Sequence, residues 1–214
     1  DIIRRYYVEK GFLNTEVTTT QVDDTTVANA VTVTFNVDRK SKVKIKKITF
    51  EGNKNIKDMT LALSMKKTRD KRLINFFSSK KFNEKEYDND KKSLISKYNE
   101  KGYRDAKIVS DSIYYISDKR MGIDFKIEEG HKYYFRNITW TGNSVYPTEI
   151  LNSVLRIKKG DIYDVVSMQK RLFESQDGNI SKLYRDNGYL FFNVMPVEVN
   201  IEGDSVDVEM RIVE

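Results

Sequence analysis

The sequence predicts an α+β fold in which one small unit, ordered β-α-α-β-β, is repeated along the chain. Three observations carry this prediction. A Tyr-x-x-x-Gly-aromatic pattern occurs three times, and an apolar segment that ends in Gly-Asn occurs twice. A stretch that alternates apolar and polar residues, typical of a half-buried strand, also occurs three times. Copies at a spacing of about 90 residues indicate tandem structural units.

The first strand of a unit is "VKIKKITFEGN" at 43–53 and "YYFRNITWTGN" at 133–143, with apolar residues at the same offsets. Helix one follows the Gly-Asn turn. Pro147 suits the first turn of a helix, where a backbone N–H has no partner to lose. The apolar residues after it recur at helical spacing: Ile150, Leu151, Val154 and Leu155. In the middle copy the weaker equivalent runs from Met59 to Met65.

Helix two of the middle copy has an apolar stripe formed by Tyr87, Leu94, Ile95 and Tyr98. A Tyr-x-x-x-Gly-aromatic pattern ends this helix, and glycine is the residue that most easily adopts the left-handed turn at a helix C-terminus. We expect the next aromatic ring to fold back over the tyrosine, so that the pattern ends the helix and begins a strand. The three copies are Tyr7/Gly11/Phe12, Tyr98/Gly102/Tyr103 and Tyr184/Gly188/Tyr189.

The last two strands of the middle copy, 104–115 and 121–128, are separated by the short polar segment "ISDKR" and predict an antiparallel hairpin. Each unit is then a three-stranded sheet covered by two helices on one face. The copies predict three domains: a partial unit at 1–41 with only helix two and the hairpin, and complete units at 42–129 and 130–214. The junctions between them are too short for free linkers.

The middle copy departs from the repeat at residues 66–82, where roughly ten residues are added between its helices. Four large apolar residues stand there among basic ones, and we name them the candidate partner loop: Leu73, Ile74, Phe76 and Phe77. They either form an exposed finger for a partner or a membrane surface, or pack against the unit's own helices.

The last copy departs from the repeat in its second helix and its second strand. Extra residues around "ESQDGN" lengthen helix two, and Asp177-Gly178 predicts a break in it. The strand from Tyr189 to Met195 ("YLFFNVM") is apolar on both faces. Cover by the extended helix of the same unit and docking onto a further domain both explain this pattern.

The composition offers little material for catalysis or cofactor binding. The chain has no cysteine, so disulfides and thiolate metal sites are excluded, and His131 is its only histidine. Glycines occur singly rather than in a phosphate-binding loop. We therefore predict a protein that is not an enzyme and that has no catalytic, cofactor or metal site.

Charge and hydropathy limit the partners. The net charge of +6 arises from 38 basic and 32 acidic residues that alternate along the chain, so no nucleic-acid-binding stripe is predicted. No apolar run reaches the roughly eighteen residues of a membrane helix. The sequence opens inside a helix-like stretch without a signal segment, and we interpret it as a piece of a longer protein.

The unit with an "ITFEGN" first strand and a "YNEKGYRDAKIV" joint resembles the POTRA (polypeptide-transport-associated) family, over essentially the whole chain. The tandem is similar to the periplasmic arms of BamA-type outer-membrane protein assembly factors. This resemblance implies a location at the periplasmic face of the bacterial outer membrane and a C-terminal membrane β-barrel in the full-length protein. The implied partners are unfolded outer-membrane proteins and accessory lipoproteins. Two alternatives are a structural spacer that binds no client, and the arm of a TamA-like or two-partner secretion transporter.

The mode of client binding that we expect is strand addition at a sheet edge, which relies on main-chain hydrogen bonds and tolerates many sequences. The family places the second strand at the edge, which corresponds to Asp105–Ser112 and Asn193–Glu198. Pro196 removes a backbone donor from the latter, so the middle copy should be the better acceptor. Alternatively, Lys107 guards this edge and it stays solvated. The candidate client-strand edge is Ala106, Lys107, Ile108, Val109, Ser110 and Asp111.

Overall fold

The computed structural model describes residues 2–27, 29–66, 68, 82–175 and 178–214. The elements of its first part are α1 (Ile2–Glu9), β1 (Glu16–Asp23), β2 (Val31–Asp38), β3 (Lys44–Glu51), α2 (Asp58–Ser64), α3 (Glu84–Asn99), β4 (Lys107–Ser117) and β5 (Arg120–Glu128). Those of its second part are β6 (Tyr134–Thr141), α4 (Thr148–Leu155), α5 (Val165–Phe173), α6 (Ile180–Arg185), β7 (Asn193–Glu202) and β8 (Ser205–Val213). The predicted α+β fold class is confirmed.

The three sheets of the described chain have related topologies. The strands β1 and β2 form a two-stranded antiparallel sheet, and the other sheets have the orders β3-β5-β4 and β6-β8-β7. In each three-stranded sheet the first strand of the unit is parallel to the last strand, which lies in the centre. The hairpin partner, β4 or β7, occupies the other edge. The two complete copies therefore share one strand order.

The chain divides into two compact units, of which the first comprises Asp1–Leu94 and Ile108–Ile127. The second comprises Ile95–Lys107 and Glu128–Glu214. The end of α3 and the segment after it thus belong to the same compact unit as the strand β6. The middle Tyr-x-x-x-Gly-aromatic pattern is therefore in the same compact unit as the copy that follows it.

Each complete sheet buries one row of alternating residues under its helices. In β5 the buried row is Met121, Ile123, Phe125 and Ile127, and in β8 it is Val206, Val208, Met210 and Ile212. The first row belongs to a core that also contains Leu61 of α2 and Leu94 of α3. The second belongs to a core with Leu151, Leu172 and Tyr184 from the three helices α4, α5 and α6. The predicted one-sided helical cover follows from this alternation.

Helix boundaries differ from the predictions in small ways. Pro147 is the N-cap of α4 rather than a residue of its first turn, with a φ of −65°. Helix two of the last copy consists of two helices, α5 and α6. The predicted break is present at Gly178, whose φ of +109° is incompatible with a helix, and the Asn179 side chain then accepts from the Lys182 N–H and starts α6.

The three Tyr-x-x-x-Gly-aromatic patterns adopt one local structure, which we call the joint. The glycines have φ values of +87°, +87° and +93° at Gly11, Gly102 and Gly188. In every joint the N–H of the aromatic residue donates to the carbonyl of the tyrosine, and the two rings meet edge to face at centroid distances of 5.9–6.0 Å. The predicted helix stop and ring contact are both present.

Each joint also contains a turn that delays the following strand. Thr15, Ala106 and Phe192 are buried, and each donates its N–H to the carbonyl of the joint aromatic residue three positions earlier. The second strand therefore begins later than predicted, at Lys107 instead of 104 and at Asn193 instead of Tyr189. A sequence pattern alone does not separate this turn from the strand, because apolar residues continue from one into the other.

Candidate functional site

The strand β4 lies at an edge of its sheet, with only β5 beside it in the part of the chain that the structure describes. Its outer side presents backbone N–H and C=O groups of the kind that accept an additional strand. Of the six residues of the candidate client-strand edge, Ala106 lies outside the strand, is 7% exposed and belongs to the joint turn. The other five are in β4: Lys107, Ile108, Val109, Ser110 and Asp111.

The two faces of β4 differ in cover. On the helical face, the Tyr87 hydroxyl of α3 donates to Asp111 at 2.5 Å, and Lys91 lies 3.5 Å from the same carboxylate. Burial, followed by the hydrogen bond to Asp111, raises the pKa of Tyr87, so the phenol stays protonated. Because side chains alternate, Val109 and Ile113 share this face, and both are exposed. Two exposed apolar side chains thus flank Asp111 along the open edge.

The opposite face of β4 is closed by a tyrosine that needs a glycine beneath it. A Cβ at Gly122 of β5 would collide with the Tyr114 ring, and the Tyr114 hydroxyl lies 3.5 Å from the Asp124 carboxylate. Sequence reasoning missed this pair. The available signal was a glycine inside a strand, which often marks a close approach of another group. The Tyr114 ring therefore packs across the hairpin onto β5.

Lys107, which was predicted as a possible guard of the edge, forms an ion pair with Glu128 of the neighbouring strand at 2.9 Å. Both side chains are about three-fifths exposed, and such surface pairs contribute little stability, typically 0–1 kcal/mol. The Lys107 side chain therefore extends towards β5, and breaking its ion pair when another strand adds to the edge would cost little free energy.

The strand β7 is the corresponding edge of the second sheet, and three features constrain it. Pro196 lacks a backbone N–H. The pairing of β7 with β8 shifts between Glu198 and Asn200, so Val199 forms a bulge. The Glu198 carboxylate is held by Arg104 and by the Tyr163 hydroxyl, which donates at 2.7 Å. Bulges and prolines are both known to blunt sheet edges.

The Arg104 guanidinium and the Glu198 carboxylate form a bidentate ion pair. The Arg104 Nε lies 2.9 Å from both carboxylate oxygens, and Nη2 lies 2.5 Å from Oε2. These hydrogen bonds lower the pKa of Glu198. Arg104 also donates to Asp105 at 2.7 Å, and Asp105 accepts from the Tyr133 hydroxyl at 2.7 Å. A continuous polar network therefore ties the joint at Gly102 to β7.

Sequence reasoning missed this network because its members are far apart in the chain. The interval between Arg104 and Glu198 is 94 residues, and neither lies in a recognisable motif.

A second missed feature repeats in both complete copies. A glutamate just after the last strand accepts from the tyrosine of the joint, as Tyr98 to Glu129 at 3.1 Å and as Tyr184 to Glu214 at 2.8 Å. A comparison of the two copies at these offsets could have found it.

The candidate partner loop lies outside the described residues. Leu73, Ile74, Phe76 and Phe77 all fall within 69–81, for which the structure gives no description. The flanking residues are buried: Met65 and Thr68 before the gap, and Phe82 after it. Contact of this loop with a partner stays a prediction.

Across the described ranges, no group of three or more His, Cys, Asp or Glu side chains is arranged to hold a metal ion. No described helix combines the length and the apolar character needed to cross a membrane. In the second unit, the side chains of Arg136 and Asn137 in β6 both donate hydrogen bonds to Asp207 in β8. These contacts join two neighbouring strands of the β6-β8-β7 sheet.

Comparison with known families gives a match to the POTRA model, described as "Surface antigen variable number repeat", over residues 43–130 and 133–214. An outer membrane protein assembly factor of Treponema pallidum is 27% identical over 194 residues, which are 87% of this chain and 22% of that protein. The outer membrane protein assembly factor BamA of Neisseria meningitidis serogroup B is 26% identical over 212 residues, which are 98% of this chain and 26% of that protein. The chain spans about a quarter of the length of these relatives.

Solved structures with the same fold include the crystal structure of Haemophilus influenzae BamA POTRA3-5. It has a TM-score of 0.57 and 18% identity, and the match covers 99% of this chain and 77% of that one. BamA from Haemophilus ducreyi lacking POTRA domains 1-3 has a TM-score of 0.56 and 19% identity, over 80% of this chain and 29% of that one. At these identities the likeness concerns the fold alone.

Proposed function

The chain belongs to the POTRA family, and from this premise we propose that it is part of the periplasmic arm of an outer-membrane protein assembly factor. In this role it lies at the periplasmic face of the outer membrane, ahead of a membrane β-barrel in the full-length protein. It captures unfolded outer-membrane proteins by strand addition and docks accessory lipoproteins. Its units are a partial copy at 1–41 and complete copies at 42–129 and 130–214.

The observation that carries the proposal is the open edge of β4. The strand has eleven residues and a neighbour on only one side within the described chain. A client strand placed there gains main-chain hydrogen bonds that do not depend on its sequence. Each bond contributes about 0.5–1.5 kcal/mol net, against the entropy lost on association. Capture is therefore weak and reversible, as a protein that passes clients onward requires.

The side chains beside this edge favour clients with an alternating pattern. Val109 and Ile113 are exposed on the helical face of β4, so a paired strand can place its apolar residues next to them. Strands of membrane β-barrels alternate apolar and polar residues over about ten positions. A strand of this kind would add apolar contacts on one face while its polar residues remain in water on the other.

The proposal assigns the client to β4 rather than to β7. At β7, Pro196 has no backbone N–H to donate, and the strand bulges at Val199. The Glu198 side chain is also held by hydrogen bonds from Arg104 and Tyr163. A client strand would have to disturb that network in order to pair along the full length of β7. At β4 the ion pair at the start of the edge, between Lys107 and Glu128, is exposed.

Site-specific crosslinking compares the two edges with a matched pair of positions. Val109 of β4 is 52% exposed and Val199 of β7 is 50% exposed, so a photoreactive residue is equally accessible at either position. The probe is a ten-residue peptide that alternates apolar and polar residues. We expect several-fold more adduct at position 109. Equal yields, or more adduct at position 199, would contradict the assignment to β4.

A proline scan distinguishes strand addition from a purely structural spacer. Successive N–H groups of a strand point to opposite sides, so only one of the variants Ile108→Pro and Val109→Pro removes an outward donor. The other breaks a bond to β5 and should lower stability. Strand addition predicts that the variant with unchanged stability loses most of its peptide binding. A spacer predicts the same peptide signal in that variant as in the unmodified chain.

A further inference from the structure

We propose that a group of basic side chains on the middle sheet binds an acidic segment of a partner protein. We name this group the basic corner, and its members are exposed or half-buried: Lys44, Lys46, Lys47, Lys119 and Arg120. It lies on β3, on the start of β5 and in the turn before β5, so it does not use the outer edge of β4. Client capture and this inference can therefore fail separately.

The pairing of β3 with β5 brings the basic corner together. Lys44 pairs with Arg120, and Lys47 pairs with Gly122. The apolar residues that alternate with them are buried under the helices: Ile45, Ile48, Met121 and Ile123. Because side chains alternate along a strand, Lys44, Lys47 and Arg120 point to the open face of the sheet, the face without helices. Lys46 lies beside them in a bulge, where the register shifts.

The last copy has a carboxylate at the equivalent bulge. Arg136 and Asn137 form this bulge in β6, and Asp207 of β8 lies beside them. The Asp207 carboxylate accepts from the Arg136 Nε at 2.8 Å and Nη2 at 2.6 Å, and from the Asn137 backbone and side-chain nitrogens at 3.1 and 2.9 Å. The bonds from Arg136 hold the pKa of Asp207 at about 2, so it is ionised at neutral pH. Glu202 also accepts from Arg136. This bulge is therefore a carboxylate-binding structure.

The middle copy keeps the basic residues and lacks the carboxylate. Gly122, the partner of Lys47, stands at the position of Asp207. The Tyr114 hydroxyl lies 2.5 Å from a Cβ built on this glycine, so a phenol fills the space of the missing side chain. Burial, followed by the charge of Asp124, raises the pKa of Tyr114, so the phenol is neutral. Within the described ranges, none of the five basic side chains forms an ion pair.

The positive charge of the basic corner is only partly compensated by its surroundings. The acidic residues that adjoin it along the turn and β5 are Asp118 and Asp124. Asp124 is already engaged, because it accepts from the Thr49 hydroxyl and lies 3.5 Å from the Tyr114 hydroxyl. Five basic side chains thus face two acidic ones. A local excess of this kind attracts a group of opposite charge and selects against basic partners.

An acidic protein segment fits the basic corner better than a membrane surface does. Surfaces that bind membranes combine basic side chains with exposed apolar ones. In β3 and β5, the apolar residues beside the basic corner are buried. The distance from Lys44 to Lys47 along the strand is about 10 Å, or about three residues of an extended chain. Two acidic residues of one extended segment can therefore reach Lys44 with Arg120 and Lys46 with Lys47.

Amide NMR shifts locate the binding site directly. The probe is a ten-residue peptide that alternates Glu and Ser, and the control peptide has Gln in place of Glu. The Glu peptide, titrated into residues 1–214, should shift the amide signals of Lys46, Lys47 and Arg120, and the Gln peptide should not. Binding should weaken at least about fivefold between about 20 and 200 mM NaCl, because the charges are exposed. Shifts centred on 107–111 or on any other surface would overturn the proposal.

Two double variants separate the basic corner from the net charge of the chain. Lys46→Gln with Lys47→Gln removes two charges from the corner. The matched control, Lys85→Gln with Lys92→Gln, removes two charges from exposed positions of α3, which covers the other face of the sheet. The first variant should bind the Glu peptide at least about fivefold more weakly, and the control should stay within about twofold of the unmodified chain. Equal losses in the two variants would contradict a defined site.

A further pair of variants transfers the carboxylate of the last copy to the middle copy. Gly122→Asp with Tyr114→Asn places an acid beside Lys46, in the manner of Asp207, which has Asn200 at 3.5 Å. Gly122→Asn with the same Tyr114→Asn has the same shape without the charge. The aspartate variant should lose most of its peptide binding, and the asparagine variant should keep it. Equal binding by the two folded variants would overturn the proposal. If circular dichroism shows that either is unfolded, the lysine variants decide the question.

Vesicles test the other occupant of such a surface. Cosedimentation compares vesicles of phosphatidylglycerol and phosphatidylcholine with vesicles of phosphatidylcholine alone. Sedimentation with the anionic vesicles that is lost in Lys46→Gln with Lys47→Gln, combined with no shifts from the Glu peptide, would assign the basic corner to a lipid surface and overturn the proposal. The proposal predicts the same sedimentation for the two lysine variants, and peptide shifts at the basic corner.

Discussion

The hairpins at 16–38 and 107–128 have similar sequence patterns and very different burial. Both end in a strand that alternates apolar and polar residues, but the apolar row is exposed in β2 and buried in β5. The exposed row is Val31, Val33, Phe35 and Val37, and the buried row is Met121, Ile123, Phe125 and Ile127. In the described chain, β5 has β3 on its second side and two helices above it, whereas β2 has only β1 beside it. Alternation therefore sets which side chains share a face, and the neighbouring elements decide whether that face is buried.

The largest expected difference between these hairpins comes from one phenylalanine in each. Phe125 is 1% exposed, stacks on Phe50 at a centroid distance of 5.6 Å and lies 5.9 Å from Tyr87. Phe125→Ala should lower the free energy of unfolding of its sheet by about 3–5 kcal/mol, since it leaves a cavity in a packed core. Phe35 is 55% exposed, and Phe35→Ala should change stability by no more than about 0.5 kcal/mol.

Hydrogen exchange followed by mass spectrometry measures both effects, since it reports the opening free energy of each hairpin separately. Peptides from 107–128 should exchange much faster in Phe125→Ala, and peptides from 16–38 should be almost unchanged in Phe35→Ala. A large effect of Phe35→Ala would mean that β2 is covered by another part of the protein or by a second molecule.

The sequence predicted those features that depend on residues close together in the chain. The joint follows from glycine chemistry and from a tyrosine five positions before the next aromatic ring, and the break in the last helix follows from Gly178. The order of the units followed from the repeat. Contacts between distant residues were not predictable in this way, because the link from Arg104 to Glu198 depends on how one copy meets the next. The same limit explains why the edge was predicted to start at Ala106, which the joint turn buries.

The joints allow a second comparison, between a covered glycine and an uncovered one. Gly188→Ala should cost about 1–2 kcal/mol, the penalty of a side chain at a φ of +93°. Gly102→Ala has a similar backbone penalty and adds a clash with Ile162 and the Tyr133 carbonyl, so it should cost at least about 1 kcal/mol more. Both glycines belong to the second compact unit, which also contains Trp140, the single tryptophan.

Urea unfolding followed by the fluorescence of Trp140 therefore reports both substitutions with one probe. The midpoint should fall further for Gly102→Ala than for Gly188→Ala. A matched control is Gly203→Ala in the β7-β8 turn, where φ is +62° and nothing lies within 4 Å of the added Cβ. It should resemble Gly188→Ala. Equal losses of stability at all three glycines would mean that Ile162 and the Tyr133 carbonyl move away from the Cβ added at Gly102 at no cost in stability.

The smallest expected effect concerns the ion pair that the middle joint has and the last joint lacks. Arg104 lowers the pKa of Glu198 below its ordinary value of 4.5, so the folded state is stabilised most when this carboxylate is ionised. The stabilisation is complete above pH 4.5 and is lost as the pH falls through the lower pKa of the folded state. Because both side chains are nearly a third exposed, we expect Arg104→Ala to cost about 1 kcal/mol at pH 7.

The pH dependence separates this ion pair from a simple loss of packing. The unfolding free energies of the unmodified chain and of Arg104→Ala, measured by Trp140 fluorescence, should differ at pH 7. They should converge progressively below pH 4.5, as the pH falls through the lowered pKa of Glu198 in the folded unmodified chain. Lys107→Ala is the control, because its ion pair with Glu128 is about three-fifths exposed and should contribute less. Leu190→Ala, at the equivalent position of the last joint, should show no such convergence. A constant difference for Arg104→Ala at all pH values would instead assign its role to the packing of the aliphatic part of the side chain against Tyr133, whose ring centroid lies 5.9 Å from the guanidinium carbon.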